Sequence, residues 1–527
     1  MRNRARGTAL LAGAVGAALL LSACSGAAAP EKSSGGTLVI DKSFDLKTAD
    51  PARNFETAGN ILGRAVYDTL LTFKNGDSST PIAMLATKWE GNADATQYTF
   101  TLRKDARFSN GDKLTADDVV FSLNRVTNVK GNGSFLMDGL TAKKIDDTTV
   151  EIDSEKSNTA IPAIVTSPTL GILNSTLVKK NGGTDAVGAD ESDKAEKFLN
   201  KTSAGSGPYA LKTFNTTTET VIVPNKYYWG DKPAYDKVVL RNATAATQNQ
   251  DITSGTAQVA LDLGSDQIAS LKGNTAVDIT TAPSPTLFFL FSNANPAVST
   301  ITSDPKFREA VTYGLDYKSL LDLAGDGAVR AAGVVPNSFL GALKESDAVV
   351  RDVSKAKAAV TALGSAPTVK LEYPSDITVA GLDFGPIAER IQANLKEVGI
   401  TVTLVPSPVS TALDSYRAGT EEMGLWLWNP DFPDPSDYLV FGPGATVGLR
   451  AGWAAGADSA AETVATKASS TVDNDERGAL YEDFQKDLNT AGVFNPLFQP
   501  AASIVSSSTV GKVTYSPVYG LDIPAIK

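Results

Sequence analysis

Apolar and polar residues alternate along this chain with two periods, one typical of strands and one typical of helices. Tyr98, Phe100 and Leu102 alternate with polar neighbours, which is the period of a half-buried strand. Residues 287–291 are apolar without interruption, and this predicts a strand that is buried on both faces. Because segments of both periods follow one another over most of the chain, we predict an α/β fold.

Capping residues predict where several helices begin and end. Thr115 can cap the helix that follows it, and Asp304 before a proline marks the start of another. Residues 384–398 place apolar side chains at helical spacing, Gly399 ends that helix, and residues 400–404 then alternate as a strand. A helix that leads so directly into a strand is typical of layered α/β structure.

The N-terminal segment has a third pattern. Arginines precede an apolar run over residues 9–21, and two small residues then precede Cys24. This is the layout of a secretory signal, and the run is shorter than the ~20 residues that a helix needs to cross a bilayer. Its end resembles a bacterial lipobox, whose cysteine is acylated. We therefore predict a signal peptide over residues 1–23 and a linker over residues 24–36 that is anchored by lipid at Cys24. An ordinary signal peptide with a chance cysteine is the alternative.

The composition narrows the chemistry that the chain can perform. The 527 residues include no histidine and one cysteine. These counts exclude histidine-based catalytic triads, zinc sites built from histidine and cysteine, and any disulfide within the chain. The net charge of -11 comes without a basic stripe that could neutralise phosphates, so we predict no nucleic-acid partner. The roughly 500 residues after the signal exceed what one core usually organises, so we predict several domains. We also predict neither a bound metal nor a cofactor.

One segment contains the densest set of candidate ligand contacts. Residues 423–428 are apolar enough for a strand, and three prolines between residues 430 and 435 then force irregular backbone. Loops of this kind at strand ends are where α/β folds place ligands. The candidate binding residues of this segment are Trp426, Leu427, Trp428, Asn429, Asp431 and Phe432. Phe135, from a glycine-rich loop, is added as a candidate wall of the binding cleft.

Structural roles compete with ligand binding for these residues. Trp426 fits a core position better than a cleft wall, and Asp434 and Asp437 suit turns or caps. Asp431 favours a ligand contact, because a carboxylate beside aromatic side chains is costly unless it is paired. An extended peptide can also pair its backbone with a strand edge, and we expect Leu427 and Asn429 to offer that edge.

Several segments, read in order, resemble one family, the extracellular solute-binding proteins of peptide-type ABC importers. The resemblance covers nearly the whole chain after the signal. The segments that carry it include TLVIDKSFDLKTADPA at residues 37–52, YTFTLRKDARFSNGDKLTADDVVFSLNRV at 98–126, PNKYYWGDKPAYDKVVLR at 224–241, DPKFREAVTYGLDY at 304–317 and LWNPDFPDPSDYL at 427–439.

The resemblance implies a two-lobe α/β fold of the periplasmic-binding-protein type (class II), with an extra domain inserted in the first lobe. Lobe I would comprise residues 37–70, 205–282 and a C-terminal part at 493–527. The inserted subdomain would comprise residues 71–204, and lobe II residues 283–492.

The resemblance also implies a function. It is that of a monomeric receptor without enzymatic activity, held by lipid on the outer face of the cytoplasmic membrane, in the cell envelope or periplasmic space. The receptor would capture short peptides and deliver them to an ABC permease with its ATPase subunits. Peptide-binding members have an Asp three residues after the Trp that corresponds to Trp428, and this Asp pairs with the α-ammonium group of the ligand. Asp431 matches that position. Leu425 stands where some members have an arginine, so no partner for a ligand carboxylate is identified.

Other functions stay open at this point. An oligosaccharide could stack on Trp426 and Trp428, and a metal chelate could occupy the same fold. A secreted hydrolase could use Asp431 and Asp434 as paired carboxylates. A passive surface scaffold fits the lipid anchor but does not account for the resemblance to two-lobe receptors.

Overall fold

The computed structural model describes residues 35–527, and three large β-sheets dominate this part of the chain. The predicted signal peptide over residues 1–23, Cys24 and most of the predicted linker lie outside the described residues. No helix within residues 35–527 is both long and apolar enough to cross a membrane.

A seven-stranded sheet combines strands that are far apart in the sequence. Thr37–Lys42 lies near its middle and runs parallel to Lys237–Asn242 on one side and to Val259–Ala260 on the other. From edge to edge, the strands are Val277–Pro283, Ala501–Ser507, Val259–Ala260, Thr37–Lys42, Lys237–Asn242, Glu219–Pro224 and Tyr209–Thr213.

A six-stranded sheet is built around the strand Leu287–Ser292, and all six residues of this strand are buried. Phe288 and Leu290 belong to the apolar cluster on one face, whereas Phe289 and Phe291 belong to the cluster on the other. The prediction of a strand buried on both faces is therefore confirmed. From edge to edge, the strands are Val329–Arg330, Phe494–Gln499, Leu287–Ser292, Met423–Trp428, Thr368–Pro374 and Thr401–Ser407.

A four-stranded antiparallel sheet covers a third apolar cluster. Its strand Gln97–Leu102 buries Tyr98, Phe100 and Leu102, as their alternation predicted. The strand order is Ala86–Gly91, Gln97–Leu102, Thr149–Ser154 and Leu140–Asp146. Three two-stranded ribbons complete the described strands, Leu71–Thr72 with Ile82–Ala83, Thr378–Val379 with Leu382–Asp383, and Tyr515–Ser516 with Gly520–Leu521.

Helices cover the sheets, and those predicted from caps are confirmed. Asp304 accepts the N–H of Lys306 at 2.8 Å at the start of its helix, and Gly399 has φ of +93° just past the end of another. The α-helices are Thr57–Val66, Ala116–Val129, Ile161–Ile164, Ser175–Lys180, Ala189–Ser192, Glu196–Leu199, Ala245–Ser254, Ser265–Leu271, Pro305–Gly314, Tyr317–Ala324, Val353–Ala362, Phe384–Glu397, Val409–Ala418, Thr446–Arg450, Ser459–Ser470 and Asn474–Ala491. The short 3₁₀ helices are Pro51–Arg53, Ser134–Met137, Pro168–Leu170, Glu345–Asp347, Pro435–Phe441 and Ile523–Ala525.

Two adjacent connections link the seven-stranded sheet to the six-stranded sheet. One passes through Ser284 and the other through Pro500. The N–H of Ser284 donates to the carbonyl of Pro500 at 2.8 Å, and the side-chain amide of Gln499 donates to the carbonyl of Ser284 at 2.8 Å. The two sheets are thus joined by a narrow, hydrogen-bonded pair of chain segments, while the domain boundaries named above stay predictions.

Candidate ligand-binding site

The strand Met423–Trp428, called the site strand, has one free edge. It pairs antiparallel with Leu287–Ser292 along its whole length. On its other side, Thr368–Pro374 pairs only with the first two residues of the site strand. Within the described part of the chain, residues 425–428 therefore have a backbone edge along which no strand is paired. An edge of this kind can accept an extended peptide.

The loop that follows, residues 429–437, is called the site loop. The site strand runs parallel to Thr368–Pro374, which in turn runs parallel to Thr401–Ser407. The site loop therefore leaves the sheet where the carboxyl ends of parallel strands meet, which is where open α/β sheets bind ligands. Its prolines prevent the loop from continuing the strand ladder until the 3₁₀ helix Pro435–Phe441 begins.

Asp434 fixes the end of the site loop. Its carboxylate accepts the N–H and the hydroxyl of Ser436 at 2.9 and 2.7 Å, and it is the N-cap of the 3₁₀ helix. The cap role predicted for Asp434 is therefore confirmed. The same carboxylate pairs with Arg477 on the helix Asn474–Ala491, and both side chains are buried. The charge of Asp434 is thus neutralised within the protein.

Asp437 holds the site strand and the site loop together. Its Oδ2 accepts the indole N–H of Trp428 at 3.1 Å and the backbone N–H of Asp431 at 3.1 Å. Burial, followed by the charge of Asp431, raises the pKa of Asp437 to about 8. The turn or cap role expected of Asp437 does not describe its carboxyl group, which instead bridges Trp428 and Asp431.

Asp431 differs from the two carboxyl groups beside it. It is partly buried, and burial raises its pKa. Among the described residues, no side chain forms an ion pair with the Asp431 carboxylate and no donor hydrogen-bonds to it. A partly dry carboxylate without a partner can bind a cationic group of a ligand.

The neighbouring candidates differ in how much surface they offer. Trp428 is partly buried, with its ring edge-to-face on Phe441 at 6.0 Å between centroids. Asn429 is exposed, and its side-chain oxygen accepts the hydroxyl of Thr286 at 2.5 Å. Leu427 lies on the face of the sheet opposite to Trp428 and is partly buried. Phe432 reaches the apolar cluster under the four-stranded sheet, so the site loop lies between two parts of the molecule.

Trp426 lies in the core instead of at a surface. Only 5% of it is exposed, and its ring stacks on Tyr416 at 4.6 Å between centroids. Its indole N–H donates to Oε2 of Glu421 at 2.8 Å, and Glu421 is fully buried. This placement agrees with the core interpretation of Trp426 that the sequence left open.

Phe135 is 37% exposed and packs edge-to-face on Phe55 at 5.1 Å between centroids. The described contacts do not bring it together with the site loop. A hydrolytic pair of Asp431 and Asp434 has little support here, because Asp434 is engaged by Arg477 and Ser436. Within residues 35–527, no group of three or more His, Cys, Asp or Glu side chains is arranged to hold a metal ion.

A comparison with known protein families identifies the family of this chain. The model of the bacterial extracellular solute-binding proteins, family 5, matches residues 80–446. The chain belongs to this family. The resemblance seen in the sequence is thereby confirmed, and the protein is a solute-binding protein of the kind that serves ABC importers.

Known proteins that are similar to this solute-binding protein cover more than nine-tenths of the chain. A protein of Escherichia coli (strain K12), named as a probable D,D-dipeptide-binding periplasmic protein, is 26% identical and covers 91% of this chain and 92% of its own length. Heme-binding protein A of Haemophilus influenzae is 23% identical, with 96% and 97% covered. The solved structure of HbpA2 from Haemophilus parasuis superposes with a TM-score of 0.80 at 22% identity, covering 92% of this chain and 98% of the other. The predicted α/β periplasmic-binding-protein fold is therefore confirmed.

Sequence reasoning missed two residues that organise the site of this solute-binding protein. Arg477 comes from a helix that follows the site loop by about 40 residues in the chain, and it compensates Asp434. Asp437 was treated as a local turn residue, but it bonds the site strand as well as the loop. Its spacing from Trp428 offered no signal, because the bridge depends on how the loop folds back.

Proposed function

We propose that this solute-binding protein captures short peptides outside the cytoplasmic membrane and delivers them to an ABC permease. The observation that carries the proposal is the uncompensated Asp431 carboxylate beside the free edge of the site strand. The name of the D,D-dipeptide-binding relative supports a peptide as the ligand class.

The two features recognise the two general properties of a peptide. A peptide N-terminus is cationic at neutral pH, and its transfer into a closed cleft is costly unless a carboxylate lies beside it. Asp431 supplies that carboxylate. The peptide backbone can add to the free edge beside Leu427 and Asn429, and such pairing tolerates different side chains.

Capture would proceed by closure of the two lobes. The narrow pair of connections at Ser284 and Pro500 supports a hinge, because few backbone bonds need to change there. A ligand that contacts both sides shifts the population toward the closed state by its differential affinity. Small-angle scattering should show a smaller radius of gyration with bound peptide, and an unchanged radius would contradict closure.

The proposal is tested by removing either member of the pair between Asp431 and the ligand ammonium. Truncating one partner of a buried charged pair costs about 2–5 kcal/mol, which is roughly 30-fold to several thousand-fold in affinity. We expect Asp431→Ala and N-acetylation of the peptide each to weaken binding by this order. Because both changes remove the same interaction, their combination should cost much less than the sum. Calorimetry with D-Ala-D-Ala and L-Ala-L-Ala measures the cycle.

Full additivity in this cycle would remove Asp431 from the site. Binding of the acetylated peptide at undiminished affinity would do the same. If the ligand is not a peptide, native mass spectrometry of the protein purified with its ligand identifies the actual class directly, such as a sugar, a metal chelate or a porphyrin.

The lipid anchor is a separate part of the proposal. It rests on Cys24, which lies outside the described residues. Two acyl chains hold a protein stably at a membrane, whereas one holds it only marginally. Cys24→Ala should therefore move the exported protein from the membrane fraction into the soluble fraction. Retention of the variant on membranes after a salt wash would contradict the anchor.

A further inference from the structure

Three carboxyl groups meet in the site loop, and only one of them has a cationic partner among residues 35–527. Asp434 pairs with Arg477. Within the described part of the chain, neither Asp431 nor Asp437 pairs with a Lys or Arg side chain. Two adjacent carboxyl groups in a partly dry site cannot both carry a charge without a large cost. The empty site must therefore hold a proton or await a cation.

The geometry indicates which of the two holds the proton. Asp437 is 5% exposed, and the two N–H groups that reach it both donate to Oδ2. No described donor bonds Oδ1, so this oxygen is free to carry a hydrogen. Asp431 is more accessible, and water can stabilise its charge.

The charged and titratable groups around Asp437 and the neighbouring Asp434 pair come from three elements. Asp431, Asp434 and Tyr438 belong to its own segment, and Tyr438 is fully buried. The helix Asn474–Ala491 contributes Arg477, which is paired with Asp434, and Tyr481, which is beside that pair. The strand Gln97–Leu102 contributes Tyr98, which senses the charges of Arg477 and Asp434. The one cation in this set is therefore already paired.

We propose that Asp437 is a specificity-determining second carboxyl group of the ammonium site, protonated while the site is empty and deprotonated when a ligand ammonium enters. The inference rests on the proposed function, since it concerns the same site. The carboxyl O–H bond of Asp437 breaks, its proton passes to solvent, and the ligand ammonium keeps all its hydrogens. The filled site then has two carboxylates that share one cation.

The electrostatics agree with this exchange. With the pKa of Asp437 raised to about 8 by burial and then by the Asp431 charge, the empty site holds the proton at neutral pH. A cation beside both groups favours the charged carboxylate and lowers that pKa. The chain has no histidine, so no imidazole titrates in the same range.

Two carboxylates also set a preference among cations. A primary ammonium has three N–H donors, and these can be divided between Asp431 and Asp437. A quaternary ammonium has the same charge but no donor. The site should therefore take primary ammonium groups and discriminate against quaternary ones.

The indole N–H of Trp428 reports the proton directly, because it donates to Asp437. Trp426 is a matched reporter, since it donates to Glu421, a buried acid whose pKa burial also raises to about 8. The ¹⁵N-labelled protein has five tryptophans, which Trp→Phe variants assign. We expect the Trp428 signal to titrate near the pKa of Asp437 and to stop doing so in Asp437→Asn. Glu421→Gln should abolish only the Trp426 titration.

The decisive step adds a cation to this titration. Methylammonium, D-Ala-D-Ala or L-Ala-L-Ala should lower the midpoint of the Trp428 signal, whereas tetramethylammonium should not, and the Trp426 midpoint should stay constant. Calorimetry of dipeptide binding at neutral pH in two buffers of different ionisation enthalpy should show release of up to about one proton per peptide. Asp437→Asn should abolish this release, and Glu421→Gln should preserve it.

The outcomes separate this inference from the proposed function. A Trp428 signal that does not titrate, or a midpoint that no primary ammonium moves, overturns the role of Asp437. Proton release that persists in Asp437→Asn also overturns it. A midpoint that moves with methylammonium but with neither dipeptide supports the role of Asp437 and counts against the peptide as ligand.

Discussion

Buried carboxylates occur around Arg125 and in the site loop, and the two regions treat their charges in opposite ways. Arg125 is fully buried and donates four hydrogen bonds of 2.5–2.9 Å to Asp50 and Asp193. Burial alone would lower the pKa of Arg125, but the two carboxylates outweigh it and raise the pKa. In the site loop, Asp431 and Asp437 lie together without a cation of the described chain.

The difference shows what each region contributes. The Arg125 cluster joins the helix Ala116–Val129 to two distant chain segments, and each of its charges has partners within the protein. Such a cluster can stabilise one arrangement of the chain but has no capacity left for a ligand. The site loop has that capacity, because two of its three carboxyl groups have no cationic partner among residues 35–527. A charge left without compensation destabilises the empty protein and stabilises the complex.

The largest effect on stability is expected at Arg125. Arg125→Met removes the buried cation of Asp50 and Asp193 and leaves them with the longer contacts of Arg53, at 3.4 and 3.3 Å. Breaking a buried pair in this way costs about 3–5 kcal/mol. Peptide affinity of the folded variant should be unchanged, because none of the Arg125 partners belongs to the site loop. Urea unfolding and calorimetry measure the two quantities.

Lys318→Met is the control for Arg125→Met. Lys318 is exposed and pairs with Asp322 one helical turn away, so this variant should not change stability measurably. The comparison between the two regions fails if Arg125→Met unfolds as readily as the parent protein, or if it loses affinity while it stays folded.

A smaller effect is expected in the pH dependence of stability. The pKa of Asp437 and of Glu421 is raised to about 8 by burial in the folded state, whereas unfolded carboxyl groups titrate near ~4. Between these values the folded protein binds protons that the unfolded chain lacks, so stability should fall as pH rises through this window. Each group contributes at most about 1.4 kcal/mol per pH unit. Asp437→Asn and Glu421→Gln should each make the slope shallower, as measured by urea midpoints of the ligand-free protein. A slope that neither variant changes would contradict these raised pKa values.

The sequence predicted those features of the fold that a local pattern encodes. The strand at Tyr98–Leu102 and the helix that ends before Gly399 follow from side-chain period and caps, and both are confirmed. The site loop could be located because its prolines exclude regular structure. The side-chain period does not show how deeply each residue of a strand is buried. Trp426 and Trp428 have the same period, yet Trp426 is in the core.

The ion-pair partners of buried arginines could not be predicted from the sequence for a related reason. Arg477 lies on a helix whose polar residues are mostly exposed, and no pattern marks it as the partner of Asp434. Arg125 likewise lies on a capped, amphipathic helix, and only the folded chain brings Asp50 and Asp193 to it. The choice among several Asp residues for one Arg is made by packing, which the sequence does not show locally.

The smallest expected effect is the one that opposes the others in sign. Asp431→Asn removes a partly buried carboxylate that no described side chain compensates, and the amide keeps nearly the same shape. Without bound peptide, the variant should therefore be slightly more stable than the parent at neutral pH, by about 0.5–1 kcal/mol. With excess peptide the order should reverse, because a ligand stabilises a protein by RT ln(1 + [L]/Kd) and the variant has the larger Kd. Urea unfolding with and without D-Ala-D-Ala measures both. If Asp431→Asn destabilises the empty protein as Arg125→Met does, then Asp431 is a structural carboxylate, and the contrast between the two regions is wrong.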